Sequence, residues 1–250
     1  MLSGYSAEET RRGGVLVTGG AAGIGFATAI RLASEGFDVT VASLEAEAGL
    51  PPEIRYVQAD VTRLEHHQAL VASIRRPVAL VNCAGVTSLS RADMLDLPAE
   101  SFDRVMDVNV RATFFLTQAF ARHTMACGRA EDYRAIIFVG SINSEVVGEN
   151  RADYCMSKAA VSMMSKLFAA RLAADGIVTH EVRPGIIRTG MTAPALEKYD
   201  RLIEEGGVPM ARWGMPEDVA AAICALARGD FPYATGTAIE IAGGLQLHRV

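Results

Sequence analysis

One segment constrains the fold of this chain more than any other: a short apolar run that leads into a glycine-rich turn and then a helical pattern. Val15-Leu-Val17 precedes Thr18-Gly-Gly-Ala-Ala-Gly-Ile-Gly25, and helical spacing follows to about Glu35. Glycines in the turn let the backbone bend tightly and approach a ligand closely, while the helix N-terminus offers free N–H groups and a positive dipole. The arrangement suits a pyrophosphate. The alternative is a tight strand-to-helix turn that has these glycines for its geometry alone and binds no ligand. A Walker-type phosphate loop is excluded because the sequence contains no Gly-Lys pair.

Apolar, β-branched runs alternate with longer helical patterns along most of the chain. Predicted strands occupy residues 14–18, 38–42, 54–59, 78–82, 135–140, 178–182 and 237–241, and predicted helices occupy 24–35, 64–74, 99–107, 112–127, 154–174 and 216–227. This rhythm indicates right-handed βαβ units. The expected fold is therefore α/β: a single-domain, Rossmann-like, doubly wound parallel sheet of seven strands with helices on both faces.

No linker-like or low-complexity segment interrupts the pattern. We therefore expect an N-terminal tail, 1–12, and one domain, 13–250. The least regular segment, 184–207, follows the sixth predicted strand. Ligands of doubly wound sheets bind beyond the carboxyl ends of the strands, so we expect this segment to form a lid over the substrate.

Composition narrows the classes of function. The chain has 24 Lys and Arg against 29 Asp and Glu, a formal charge of −5, and no basic run, so no nucleic-acid partner is expected. The uncharged stretch 13–30 contains six glycines and reads as strand, turn and helix, so no membrane association is expected. Residues 1–12 include Glu8 and Glu9 and no apolar core, which argues against a signal peptide and for a cytoplasmic protein.

Cysteine and histidine spacing indicates no metal site. The four cysteines are scattered without a Cys-x-x-Cys pair, and His66-His67 has no partner at ligand spacing. We therefore expect neither a disulfide framework nor a bound metal.

A second motif, Tyr154-Cys-Met-Ser-Lys158, begins the longest predicted helix. Its spacing places the tyrosine and the lysine on one face, one turn apart. A free tyrosine titrates near pH 10, but a neighbouring ammonium favours the phenolate and makes general acid/base chemistry accessible. The motif is common and means little alone.

Together, these two motifs resemble the short-chain dehydrogenase/reductase family, and the pattern is closest to proteins labelled 3-oxoacyl-[acyl-carrier-protein] reductase. The resemblance extends over residues 13–246. It includes Asp60-Val61, Asn82-Cys-Ala-Gly85, Asn109, Ser141, Pro184-Gly-Ile-Ile-Arg-Thr189, Arg212-Trp-Gly-Met-Pro-Glu-Asp-Val-Ala220, Gly236 and Gly243-Gly244. The chain departs from the family at Cys83, where a second Asn is usual, and at His180, where many relatives carry Asn. We expect both to be packing variations.

The resemblance implies a catalytic tetrad of Asn109, Ser141, Tyr154 and Lys158. Tyr154 would exchange the proton with the substrate oxygen while hydride moves to or from the nicotinamide, and Ser141 would hold that oxygen. Lys158 would bind the nicotinamide ribose and lower the pKa of Tyr154. Asn109 would position a water that links Lys158 to solvent.

The resemblance also implies a set of residues that bind the dinucleotide. Besides Tyr154 and Lys158, these are Gly19, Ala22, Gly23, Ile24, Gly25, Ser43, Asp60, Val61, Asn82, Ala84, Gly85, Pro184, Gly185, Ile187 and Thr189.

The end of the second predicted strand indicates which dinucleotide binds. An Asp there would accept hydrogen bonds from the ribose and repel a 2′-phosphate. This chain has Ser43, no Arg or Lys after it, and Ala22 where phosphate-preferring relatives often carry a basic residue. Ser43 permits the phosphate, whereas Glu45 and Glu47 oppose it, so NAD(H) is favoured over NADP(H).

Substrate alternatives stay open. An acyl-carrier protein is strongly acidic, so an enzyme that binds it needs a basic surface near the site. In this chain, Asp175 occupies a position where relatives that bind the carrier protein often have a basic residue. Oxidation of a small polar metabolite, such as a sugar acid or polyol, is therefore the main expectation, and 3-oxoacyl thioester reduction is the alternative. Met191, Tyr199, Met210 and Trp213 are candidate lid residues, with Arg188 as a candidate anion contact.

Two further expectations concern the class of protein and its assembly. A non-catalytic dinucleotide sensor or scaffold is the rival from another class, but it would have no need for the tetrad. Family resemblance implies a homodimer or homotetramer through the helices predicted at 112–127 and 154–174.

Overall fold

Strands form where apolar and β-branched residues run consecutively, because such runs can be buried on both faces of a parallel sheet. The computed structural model describes residues 12–46, 49–127 and 131–247. Its strands are β1 (Gly14–Thr18), β2 (Asp38–Ser43), β3 (Arg55–Gln58), β4 (Pro77–Asn82), β5 (Arg134–Val139), β6 (Ile177–Pro184) and β7 (Thr237–Ile241).

Helices occupy most of the segments between the strands. They are α1 (Gly23–Ser34), α2 (His67–Ala72), α3 (Ala99–Met106), α4 (Thr113–Cys127), α5 (Ala152–Leu172), α6 (Leu196–Glu204) and α7 (Pro216–Arg228). Within the described residues, no helix combines the length and the apolar character that crossing a bilayer requires.

The strands form one parallel sheet in the order β3-β2-β1-β4-β5-β6-β7. The chain leaves β1 toward β2 on one side and later returns to place β4 on the other side of β1. This reversal opens a crevice beyond the carboxyl ends of β1 and β4, where doubly wound folds bind ligands. The predicted seven-stranded Rossmann-like fold is confirmed.

Side chains alternate between two cores because successive strand residues point to opposite faces. Val15 and Val17 pack with α1 and α7 on one face, and Leu16 packs with α2, α4 and α5 on the other. Each layer contains a large cluster of buried apolar side chains, which fixes the register and therefore the positions of the strand ends that form the crevice.

Two helical regions differ from the sequence-based expectation. The helices predicted at 99–107 and 112–127 are joined without a break by a π-helical turn, Asp107–Ala112, which carries Asn109. The segment 184–207, predicted as the least regular part, contains α6, whose one buried residue is Tyr199. That helix was missed because its sequence, Leu-Glu-Lys-Tyr-Asp-Arg-Leu-Ile-Glu, is mostly polar and follows a glycine- and proline-containing stretch.

Several sequence-based expectations concern residues outside the described part of the chain. These are the predicted tail as far as residue 11, Glu47, and residues 248–250 of the predicted domain.

Candidate active site

A cavity of about 580 Å³ lies at the carboxyl ends of the central strands. Its size is within the ordinary range of small-molecule sites. Most of the predicted site residues line it: Gly19, Ala22, Gly23, Ile24, Gly25, Ser43, Asp60, Val61, Ala84, Gly85, Ser141, Tyr154, Lys158, Pro184, Gly185, Ile187 and Thr189. Among the predicted residues, Asn82 and Asn109 are not on the wall.

At Gly19 and Gly25, the glycine-rich turn has no room for a side chain. A Cβ at Gly19 would lie 2.8 Å from the Ala84 Cα, and one at Gly25 would overlap the Gly19 carbonyl oxygen. Gly19 and Gly23 also have φ values of +65° and +54°, which favour glycine. The turn therefore presents bare backbone and the N-terminus of α1 to the cavity, which fits a pyrophosphate.

The Thr18 side chain connects this turn to the segment after β4. Its Oγ1 accepts hydrogen bonds from the backbone N–H groups of Cys83 and Ala84, both at 3.1 Å. Thr18 is 2% exposed, so these N–H groups are satisfied without water. The two sides of the crevice are therefore held at a fixed separation.

Asn82 and Asn109 act from behind the cavity wall. Asn82 Nδ2 donates to Thr117 Oγ1 on α4 at 3.0 Å. Asn109 Oδ1 accepts from the Val86 N–H at 2.8 Å, while its Nδ2 donates to the Val86 carbonyl and to Ser157 Oγ, both at 2.9 Å. Asn109 thus ties the segment after β4 to α5, and a Cβ added to Gly85 would lie between Asn109 and Lys158.

Tyr154, Lys158 and Ser141 face the cavity together. Lys158 Nζ lies 5.6 Å from the centroid of the Tyr154 ring and donates to the Val139 carbonyl at 2.9 Å. Ser141 Oγ accepts from the Asn143 N–H at 3.1 Å, so its hydrogen is available to a substrate oxygen. The helical spacing of the Tyr-x-x-x-Lys motif therefore places the tyrosine and lysine side chains on the wall of the same cavity.

Asp153 is a positioning residue that the sequence-based reasoning missed, although it adjoins Tyr154. It is fully buried, and its carboxylate accepts hydrogen bonds from Ser88 and Ser101 and from the Tyr154 N–H. Ser88 belongs to the segment after β4, and Ser101 lies on α3. The first turn of α5 is therefore fixed to both neighbouring elements.

The end of β2 presents a carboxylate to the cavity. Ser43 Oγ donates to Glu45 Oε2 at 2.5 Å, and this hydrogen bond lowers the pKa of Glu45. The Tyr56 hydroxyl donates to the Glu45 carbonyl, which fixes the backbone there. Further along the same wall, Asp60 Oδ1 accepts from Thr62. Glu45 is therefore ionised and held where the adenosine ribose is expected.

The opposite end of the cavity is formed by residues from three separate segments. Arg91 lies between β4 and α3, Arg151 immediately precedes α5, and Tyr199 lies on α6. No motif marks the two arginines in the sequence. Of the predicted lid residues, Met191 and Tyr199 line this cavity, whereas Met210, Trp213 and Arg188 do not.

The two departures from the family pattern differ in exposure: Cys83 is partly exposed on the cavity wall, and His180 is fully buried. Burial raises the pKa of the Cys83 thiol to about 12, so it remains a thiol at neutral pH. Burial lowers the pKa of His180 to about 4, which makes its imidazole neutral. Among the described residues, no group of three or more His, Cys, Asp or Glu side chains is arranged to hold a metal ion.

This chain is similar in sequence and fold to known proteins. A family model described as "Enoyl-(Acyl carrier protein) reductase" matches residues 19–246. The chain is 34% identical over 252 residues to human (3R)-3-hydroxyacyl-CoA dehydrogenase, covering 92% of this chain and 94% of that protein.

Two solved structures show the same fold over nearly the full chain. The 3-oxoacyl-[acyl-carrier protein] reductase of Brucella melitensis in complex with NAD has a TM-score of 0.92 and 40% identity, covering 96% of this chain and 99% of that one. The ligand-free aldohexose dehydrogenase of Thermoplasma acidophilum has a TM-score of 0.85 and 26% identity, covering 96% of each chain.

The Thr18 contact can be tested by a matched pair of substitutions. Thr18→Val leaves the N–H groups of Cys83 and Ala84 without an acceptor, so we expect a loss of about 1–3 kcal/mol of unfolding free energy and weaker dinucleotide binding. Thr28→Val is the control because the buried Thr28 hydroxyl has no hydrogen-bond partner. Denaturant unfolding and dinucleotide titration measure both effects, and equal behaviour of the two variants would contradict the assigned role.

Proposed function

This chain belongs to the short-chain dehydrogenase/reductase family, and we propose that it oxidises a secondary alcohol of a small polar metabolite, such as a sugar acid or polyol, or reduces the corresponding ketone. It is an oxidoreductase of the class that uses NAD(P). The observation that carries the proposal is the presence of Ser141, Tyr154 and Lys158 on the wall that also contains the glycine-rich turn. A non-catalytic sensor would not need this acid/base set, and the named relatives are enzymes.

The residues of the cavity fit a dinucleotide. The bare backbone of the turn and the N-terminus of α1 would hold the pyrophosphate, and Glu45 would accept a hydrogen bond from the adenosine ribose. Lys158 uses one of its protons on the Val139 carbonyl, which leaves donors for the second ribose. When bound, the nicotinamide ring supplies or accepts the hydride.

Tyr154 moves the proton in the proposed reaction. In the reductive direction, its hydroxyl gives a proton to the substrate oxygen as that oxygen gains negative charge, and in the oxidative direction it takes the proton back. The charge of Lys158, 5.6 Å from the ring, stabilises negative charge that develops on the Tyr154 oxygen. The Ser141 hydroxyl donates to the same substrate oxygen and orients it.

Asn109 is proposed to support proton exchange between Lys158 and solvent. The Asn109 side chain forms hydrogen bonds with Val86 and Ser157. These bonds hold the π-helical turn in place, which supports a positioning role for Asn109.

A substitution of Tyr154, the proposed proton donor, should affect turnover and dinucleotide affinity differently. Tyr154→Phe removes the exchangeable proton while the ring and its packing remain, so we expect turnover to fall at least about 1,000-fold and dinucleotide affinity to change by less than about threefold. Nicotinamide absorbance with sugar acids, polyols and 3-oxoacyl thioesters measures turnover. Substantial activity of the variant on a substrate that the wild type uses would overturn the assignment of Tyr154.

NAD(H) is the proposed preferred dinucleotide because Glu45 is the charged group at the end of β2. Its carboxylate is fixed by Ser43 and repels a 2′-phosphate, and no Lys or Arg lies among the cavity residues that directly follow this strand. The relative from Brucella melitensis was crystallised with NAD, which is consistent with the proposal.

The dinucleotide preference has a direct test. We expect wild-type enzyme to bind NADH more tightly than NADPH, and Glu45→Gln to move the ratio of the two dissociation constants toward NADPH about tenfold, or ~1.4 kcal/mol. Glu53→Gln is the control because Glu53 is exposed and does not line the cavity. Tighter binding of NADPH than NADH by the wild type would contradict the preference.

A 3-oxoacyl thioester is the second candidate substrate. It is favoured by the names of the relatives and by the apolar side chains of Val146, Val147, Met191 and Leu202 on the cavity wall. The surface near the end of α5 argues against a strongly acidic carrier protein, because Asp175 pairs there with Arg171 at 2.6 Å. We therefore place this candidate second.

We also propose that the chain forms a homodimer or homotetramer through the helices predicted at 112–127 and 154–174. Their outer faces carry apolar side chains that are well exposed in the single chain: Phe115, Met125, Met156, Met163 and Leu167. Such a concentration on two adjacent helices is typical of a protein–protein interface.

The proposed interface predicts an assembly defect. Leu167→Asp places a charge on the exposed face of α5, where Leu167 is 58% exposed, so the fold should be retained while the mass in solution falls by half. Leu95→Asp is the control because Leu95 is 85% exposed and lies outside both helices. Light scattering after size exclusion measures the mass, and an unchanged mass for Leu167→Asp would argue against this interface.

A further inference from the structure

The charge on the cavity wall is strongly divided between its two ends. Glu45 and Asp60 are the acidic residues among the described residues that line it, and both are bonded at the adenosine end, to Ser43 and Thr62. The substrate end contains Arg91, Arg151 and Lys198 in addition to Lys158. A chain with a net charge of −5 therefore has a locally positive substrate site.

The two arginines converge beside the catalytic tyrosine. Arg91 Nη1 donates to the Tyr199 hydroxyl at 3.3 Å, and its Cζ lies 5.8 Å from the Tyr199 ring centroid. Arg151 Cζ lies 6.0 Å from the ring centroid of Tyr154. The two guanidinium groups come from separate segments of the chain and lie beside Tyr199 and Tyr154 on the cavity wall.

The guanidinium charges of Arg91 and Arg151 both act on the Tyr199 hydroxyl. Burial of Tyr199 raises the pKa of its hydroxyl, but the charges of Arg151 and Arg91 and their hydrogen bonds outweigh that effect and lower it. The tyrosine is 5% exposed and is held edge-on against Trp213, so it provides a fixed partner for Arg91.

Neither arginine has a carboxylate partner within the described chain. Arg183, Arg212 and Arg228 each form ion pairs, whereas no Asp or Glu among the described residues lies within ion-pair distance of Arg91 or Arg151. The buried Arg151 Nε has no hydrogen-bond partner. Asp153, which is close in sequence, is fully buried and bonded to Ser88 and Ser101.

We infer that Arg91 and Arg151 together bind a carboxylate of the substrate, so that the enzyme acts on a short hydroxy acid or oxo acid. A guanidinium group matches a carboxylate in geometry, and a half-buried pair of such groups with free donors favours an anion over an uncharged analogue. Carboxylate binding here holds the carbinol or carbonyl carbon of a short acid close to Tyr154. The inference rests on the proposed function, whose substrate class it narrows to acids.

The position of Arg91 and Arg151 favours free hydroxy acids and oxo acids over coenzyme A thioesters as substrates. In a 3-oxoacyl thioester, the group near the reacting carbonyl is an uncharged thioester, and the phosphates lie at the far end of the pantetheine arm. A cation beside Tyr154 therefore favours a free acid and gives no corresponding advantage to a thioester.

The test compares charged and uncharged ligands of nearly equal shape. Wild-type enzyme saturated with NAD is titrated with acetoacetate and acetoacetamide, and enzyme saturated with NADH with gluconate and gluconamide, by calorimetry; in these combinations no hydride can be transferred, so the heat reports binding. In at least one pair, we expect the acid to bind at least tenfold more tightly than the amide. Arg91→Gln and Arg151→Gln should each reduce that preference at least fivefold, while Arg151→Lys, which keeps the charge, should retain part of it.

Controls separate this inference from the proposed function. Unchanged dinucleotide affinity shows that each variant is folded, and Arg188→Gln should keep the full preference because Arg188 lies outside the cavity. Acid binding that depends on the arginines but gives no turnover would support the carboxylate site and count against the proposed reaction. Equal binding of acid and amide in both pairs, or an acid preference unchanged in both Gln variants, would overturn the inference, as would arginine-dependent binding of acetoacetyl-coenzyme A alone.

Discussion

The segment that follows β4 is the part of the structure on which the site depends. It must cross the crevice with its backbone exposed to the ligand, so few of its N–H and C=O groups can pair within the sheet. Side chains from other elements satisfy them instead: Thr18 accepts from Cys83 and Ala84, and Asn109 bonds both backbone groups of Val86. One short segment is thereby fixed to β1, to the π-helical turn and, through Ser88 and Asp153, to α5.

These contacts connect the two parts of the cavity: the glycine-rich turn, where the dinucleotide is proposed to bind, and the first turns of α5, which carry Tyr154 and Lys158. The glycine-rich turn and the first turn of α5 are distant in sequence, yet both are held by the same segment. Asp153 and Asn109 therefore act without touching a substrate: they set where Tyr154 and Lys158 lie relative to the dinucleotide site. A side chain displaced by a fraction of an ångström here misaligns reacting groups, which costs rate more than it costs stability.

Much of this organisation could be predicted from the sequence because it depends on local patterns. The strands, the glycine-rich turn and the Tyr154–Lys158 pair follow from periodicity and spacing. The roles of Arg91 and Arg151 do not, because they come from separate segments that meet only in the folded chain. The same holds for Arg183, which is 5% exposed and lies 3.1 Å from the buried Glu181 on the same strand, β6. Helix α6 was missed because its polar sequence is stabilised mainly by one buried side chain, Tyr199.

The central claim is that hydride passes directly between the dinucleotide and a substrate carbon beside Tyr154. The most direct measurement uses NADH that carries deuterium at both C4 positions, incubated with the enzyme and a panel of oxo acids, ketoses and 3-oxoacyl thioesters. The account predicts deuterium on the carbinol carbon of the alcohol product, one label for each NADH oxidised. Binding of NADH without a labelled alcohol from any member of the panel, or label that appears in the solvent instead, would contradict it.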